Sequence, residues 1–204
     1  MSVGNRTLTW VAQSPLVMGI AAGAAEAARL VGDGADALDL GSANGAVVRE
    51  VRHNHPGIPI AVDLGDGAAD DADLLYAPRG SSERELARIA AASGVAVVCS
   101  IEDAGRLHAA GVAQVFVTPG RRPDIGTVRG GTELAGGDWP VLLTVSCGGV
   151  PETGAEVIAA AAHAAAAGVR IIRTDRVTET RRTVDMIASI RGTRPPAKVR
   201  RALA

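Results

Sequence analysis

Apolar runs of strand length recur eight times along the chain, with Ala-rich or amphipathic stretches between them. The runs occupy residues 16–20, 36–41, 58–64, 72–77, 95–100, 112–119, 139–146 and 169–174. They are rich in β-branched residues and nearly continuous rather than alternating, which suits strands covered on both faces of a parallel sheet. The intervening stretches close on glycine just before the next run, as in GDGAD, HPGIP, ASGVA, AAGVA and AAGVR. Glycine there supplies the left-handed turn that ends a helix. Ser82, with Glu85 three residues later, is a capping-box signal for the helix that follows the fourth run. Eight such units predict a compact α/β (β/α)8 TIM barrel with short βα loops. An open doubly wound sheet of five or six strands is the alternative. Two intervals are thin for helices: GDGAAD after the third run and DIGTVRGGTELAGG after the sixth.

At 204 residues and 47% hydrophobic content, the chain can bury one core, so residues 1–204 are expected to form a single domain. Residues 192–204, GTRPPAKVRRALA, read as a flexible or helical tail. Aromatics are 2% of the chain, which leaves few stacking platforms for single-stranded nucleic acid, and the net charge of −1 offers no broad basic surface. No nucleic-acid partner is expected. No run approaches the roughly 20 apolar residues of a membrane span, and the first residues lack a signal-peptide pattern. A cytoplasmic protein without a membrane partner is the expectation.

In a barrel of this type, functional groups sit where strands end and loops begin. Asp39 and Asp63 end adjacent strands, and two carboxylates there can bind a polar heterocycle or a hard cation. Capping of local turns is the plainer role for both. In VSCGGVPETGAE, the Cys147, Gly148 and Gly149 backbone leads toward a helix N-terminus and is a candidate anion site. Arg173 ends an apolar strand, where a guanidinium is costly to desolvate without an anion. Asp175 and Arg176 follow it, and Thr178 is the expected N-cap of the last helix. An Arg173–Asp175 ion pair is the alternative to anion binding. The histidines at 53, 55, 108 and 163 fall within or beside predicted helices, away from the mouth, so neither a zinc site nor histidine-based catalysis is expected. No catalytic residue is assigned.

GVRIIRTDRVTET resembles the last strand and loop of the dihydropteroate synthases, whose pattern is G-A-x-I-x-R-x-H-D-V-x-E-T. LVMGI resembles their first strand. GDGADALDLG resembles their G-A-x-x-I-D-x-G segment, and IPIAVDL their third strand. The four stretches occur in the family's order over almost the full chain. The resemblance implies a pterin-binding barrel. It carries over Asp39 and Gly41, Asp63 and Arg173, with Asp175 in the place of the motif's histidine and Arg176 in that of its aspartate. A pterin-like or phosphorylated small molecule is the implied ligand. A homodimer through the last two helices is the implied assembly.

The sequence departs from the pattern at three places. The N-V-T-P-D-S-F loop after the first strand, which helps organise Mg2+ and pyrophosphate in the family, is replaced by AAGAAEAA. Mg2+ is therefore the one cofactor the resemblance raises, without its usual loop. Thr118 stands where D-P-G carries a pterin-binding aspartate. The S-R-K segment is SCG here, and the single lysine of the chain, Lys198, lies in the tail. The expectation is a dihydropteroate synthase-like protein of the folate-biosynthesis superfamily that lacks the synthase activity. A non-catalytic dimeric paralogue or partner subunit is one alternative. A diverged barrel enzyme acting on another phosphorylated small molecule is the other.

Overall fold

The computed structural model describes residues 14–64, 71–77, 81–121, 124–146 and 154–195. Eight strands run β1 Leu16–Ile20, β2 Ala37–Asp39, β3 Ile60–Asp63, β4 Leu74–Tyr76, β5 Ala96–Cys99, β6 Val115–Val117, β7 Leu142–Thr144 and β8 Ile171–Thr174. The described helices are α1 Ala24–Gly32, α2 Gly45–Asn54, α3 Glu83–Ser93, α4 Ile101–Ala109, α5 Ile125–Leu134, α6 Gly154–Ala167 and α7 Val177–Ile190. Every strand pair is parallel, in the order β6-β5-β4-β3-β2-β1-β8-β7. The ring closes where Val117 bridges Val141 in parallel register and the Val117 N–H donates to the Pro140 carbonyl at 2.9 Å. The closed ring replaces the open-sheet alternative. The helix sought in GDGAAD falls at residues outside those described.

Apart from β1, each strand is shorter than its apolar run. The flanking apolar residues are buried beyond the strand ends, as Val112 and Val145 are, where they pack under the helices. Side-chain parity divides the strand residues into two sets. Met18, Ala37, Ala61, Leu74, Tyr76, Ala96, Val98, Phe116, Leu142 and Ile171 form one buried cluster drawn from strands alone, which is the barrel interior. Large residues face small ones, as a packed ring requires. A second cluster joins the outer faces of the strands to helix residues such as Leu30, Val51, Leu86, Leu107, Val157 and Val184.

Local chemistry sets the helix ends. The Asn44 side chain accepts from the N–H groups of Ala46 and Val47, Ser82 accepts from Glu85 N–H, and Asp124 accepts from Thr127 N–H. Gly94 closes α3 at φ 71°. The last helix differs from the expectation. It begins at Val177, one residue ahead of Thr178, with Arg176 in the cap position. Arg176 makes no side-chain cap bond, and its own N–H donates to the Thr174 hydroxyl at 2.9 Å, which ties the helix start to the end of β8. At its other end α7 stops at Ile190 and the chain turns at Gly192, φ 72°. Residues 196–204 lie outside those described.

Two carboxylates, Asp73 buried and Asp36 partly exposed, tie down the opposite, N-terminal end of the ring. Asp73 accepts from the Ile60 N–H at 2.8 Å and pairs with Arg52, whose guanidinium also donates to the carbonyls of Ile58 (2.8 Å) and Asp71 (3.0 Å). Asp36 accepts from the Val17 N–H at 2.8 Å and from Arg181 of α7 at 2.6 Å.

Candidate functional site at the barrel mouth

Parity continues upward from the interior layer. Two residues beyond Ala37, Ala61 and Ile171 stand Asp39, Asp63 and Arg173, which therefore face the axis at the C-terminal mouth. Register aligns Asp39 with Ile20, Asp63 with Tyr76, and Arg173 with both Met18 and Thr144. Three strand-end residues singled out from the sequence thus share one rim.

Their partners differ from the sequence expectation. Arg173 Nε donates to Asp39 Oδ2 at 2.5 Å, and Arg173 Nη1 lies 3.5 Å from the Thr144 hydroxyl. Asp175 instead accepts the Ser146 hydroxyl at 2.5 Å. The ion pair weighed for Arg173 and Asp175 is therefore replaced by one across β1, between the ends of β8 and β2. Asp39 is fully buried and Arg173 is 7% exposed, so the pair is removed from water. The other Asp39 oxygen accepts the Gly41 N–H at 2.9 Å, and the Gly41 carbonyl accepts the Asp63 N–H at 2.8 Å. Gly41 sits at φ 55°, the left-handed conformation this tight link needs. Arg176, placed with the anion candidates, lies 3.7 Å from Glu179 one turn along α7. Cys147, Gly148 and Gly149 fall outside the described residues.

Two residues missed from the sequence complete the mouth. Arg121, in the loop after β6, pairs with Asp63 and approaches Asp39 Oδ2 at 3.5 Å. Its guanidinium lies 4.2 Å above the Tyr76 ring at the end of β4, a cation–π distance. Burial pushes the Tyr76 phenol well above its ordinary value, and the Asp39 charge adds to the shift. Tyr76 was legible from its parity in DLLY. Arg121 had only the Gly/Arg-rich composition of its loop to mark it.

This network divides the mouth in two. A hollow of about 570 Å³ lies over β1, β2 and β8, lined by Ala21, Asp39, Gly41, Ser42, Arg173 and Asp175. A second of about 460 Å³ lies over β3 to β6, lined by Asp63, Tyr76, Cys99, Ser100, Thr118 and Arg121. Cys99 is buried, its thiol pushed up to about 12 by burial and then by Asp103 and Glu102. It is a poor nucleophile there. Among the described residues, no group of three or more His, Cys, Asp or Glu side chains comes together to hold a metal ion. Asp39 and Asp63, the acidic pair at the rim, are taken by guanidinium groups, a donor set that does not fit Mg2+.

No family model matches the chain. It is 27% identical to a Mycobacterium leprae protein named inactive dihydropteroate synthase 2, over 100% of this chain and 94% of that protein. A Mycobacterium tuberculosis protein of the same name is 28% identical over 86% of this chain and 77% of its own length. Among solved structures, Mycobacterium tuberculosis Rv1207 superposes with a TM-score of 0.75 at 29% identity, over 91% of this chain and 96% of that one. The dihydropteroate synthase of Thermus thermophilus in complex with 4-aminobenzoate gives 0.70 at 23% identity, over 87% and 95%, a likeness of fold.

The chain is a short, diverged dihydropteroate synthase-like protein. In this dihydropteroate synthase-like barrel the residues matching the family motifs at Asp39, Asp63 and Arg173 do meet at one mouth. They meet as partners of one another and of Arg121. Thr118, at the D-P-G position, turns its hydroxyl back on its own loop, donating to the Gly120 carbonyl at 3.0 Å.

Proposed function

We propose that this dihydropteroate synthase-like protein does not carry out the synthase reaction and works as a non-catalytic, homodimeric paralogue or partner subunit. The reading places it in the cytoplasm, beside folate biosynthesis by descent. One observation carries it: Asp39, the buried carboxylate retained from the pterin motif, is held between the guanidinium groups of Arg173 and Arg121. A heterocycle needing that carboxylate must break a buried, charge-assisted contact before it gains its own. The same pair neutralises Arg173, the anion-binding candidate, so a phosphorylated small molecule is the weaker reading. The names of the mycobacterial relatives, both called inactive, agree with this.

For the assembly, three of the four large apolar side chains exposed among the described residues are Ile158 of α6 and Met186 and Ile190 of α7. These two helices are the ones expected to pair copies of the chain. Among the described residues no helix is long and apolar enough to cross a membrane.

The test is an assay with pterin pyrophosphate and p-aminobenzoate, alongside calorimetry with pterin and with pyrophosphate. No product and no heat from any of these ligands is the expected result. Turnover of the pterin pyrophosphate would overturn the non-catalytic reading.

A further inference from the structure

The mouth of the barrel holds one side chain in the posture of a bound ligand. The Arg121 guanidinium is planar, lies 4.2 Å over the Tyr76 ring, pairs with Asp63 and reaches Asp39 at 3.5 Å. Sitting over an aromatic face while donating N–H groups to carboxylates is how a flat, multiply N–H-bearing cation is recognised. Tyr76, Asp63 and Asp39 come from the ends of three successive strands, on rigid elements of the ring. Arg121 comes from a loop and is 39% exposed at its side chain, against 0% for Asp39 and 33% for Asp63. The receptor is therefore built into the barrel, and the occupant is tethered from outside it.

We propose that Arg121 is an intramolecular occupant that closes this mouth to free ligands, and that the cradle of Tyr76, Asp63 and Asp39 accepts a planar guanidinium or amidinium-like group once Arg121 is removed. Arg121 also sets specificity: it fills the cradle with a positive charge, so a neutral heterocycle must displace an ion pair to enter. Arg173 donates to Asp39 Oδ2, the oxygen that Arg121 also approaches, and so fixes the position of that carboxylate at the cradle. Asp63 and Tyr76 of the cradle line the 460 Å³ hollow together with Arg121, so the space beside the guanidinium opens onto it. This proposal rests on the non-catalytic reading, and the two fail separately. Synthase turnover by the natural chain would end that reading, whereas the occupant proposal is decided by binding to variants.

The experiment is chemical rescue of Arg121→Ala with methylguanidinium, read by calorimetry and by thermal unfolding. Arg121→Ala is expected to melt below the natural chain and to bind methylguanidinium about tenfold more tightly than it does. The bound cation is expected to restore part of the lost melting temperature. Pterin is expected to enter Arg121→Ala and not the natural chain. Arg121→Lys, whose compact ammonium cannot lie flat on Tyr76 while forking between two carboxylates, is expected to melt lower without being rescued. Equal methylguanidinium binding by the natural chain and Arg121→Ala would overturn the proposal. So would rescue that persists when Asp63→Asn is added to Arg121→Ala, since the cation would then be binding elsewhere.

Discussion

Arg173 and Asp39 are 134 residues apart in sequence and 2.5 Å apart at the barrel mouth, joined across β1. Their side chains are 8% and 0% exposed, so each is the other's compensation for lost water. Removing one partner strands a buried charge, which costs about 3–5 kcal/mol. Asp39→Ala should lower stability by that amount in urea unfolding and Arg173→Ala by less, since Arg121 and the Gly41 N–H stay with Asp39, both with unchanged m-values. The double variant Asp39→Leu/Arg173→Met should recover most of the loss, because a well-packed apolar pair can replace a buried ion pair. Additive losses in the double variant would show that the pair is not the unit.

Two neighbouring glycines of α5 should respond to alanine in opposite directions. A Cβ on Gly131 would sit 2.5 Å from Leu143 Cδ1 on β7, inside the fully buried layer between helix and ring. Among the described residues, a Cβ on Gly130 would meet only the Pro119 Cβ at 3.5 Å, an ordinary contact. Alanine in a helix is worth about 1 kcal/mol over glycine, while overpacking costs about 1–3 kcal/mol. Gly130→Ala should raise the melting temperature, and Gly131→Ala should lower it. Trimming Leu143 to Val should soften the second effect.

Stability should fall in alkali, starting below the range where tyrosines ordinarily ionise. The Cys99 thiol moves from an ordinary value of 9.0 to about 12 on burial. A folded state that resists losing this proton keeps its full advantage below pH 9 and loses it as the pH rises toward 12. The loss is at most about 1.4 kcal/mol for each pH unit. Burial of Tyr76 adds a contribution of the same sign above pH 10. Urea midpoints measured from pH 8 upward should decline, and Cys99→Ala should delay the start of the decline. At pH 8 Cys99 should resist alkylation in the folded chain and react on unfolding.

The dimer proposal predicts a change of assembly without a change of fold. Glutamate at Ile158, Met186 and Ile190, which are 42%, 50% and 73% exposed, should convert a dimer to monomer in sedimentation velocity while circular dichroism holds. Glutamate at Ile101 on α4, 39% exposed, should leave the assembly unchanged. A natural chain that sediments as a monomer would sink the dimer.

What could be read from the sequence was whatever period and spacing encode. Eight continuous apolar runs gave the ring, and two-residue parity turned Asp39, Asp63 and Arg173 inward from strands that could be drawn directly. Contacts across the barrel could not be drawn that way. Sequence proximity suggested Asp175 for Arg173, yet register brings Asp39 closer and leaves Asp175 to Ser146. Arg121 reaches 58 positions back to Asp63 from a loop without periodicity, so nothing local marked its target. Thr178 was expected to cap α7 because it has the right side chain near the right place. Arg176 takes the cap position without a side-chain cap bond, because its N–H is tied back to Thr174 at the end of β8.

Seven of the neighbouring strand pairs are joined by ladders of two or more aligned residues, whereas β6 and β7 are stitched by the Val117–Val141 bridge. A hoop fastened unevenly parts at its weakest stitch. Amide protons flanking that seam should exchange with solvent well before those of β1 and β8, and thermal breathing of the whole cylinder should begin there, away from the paired charges at its rim.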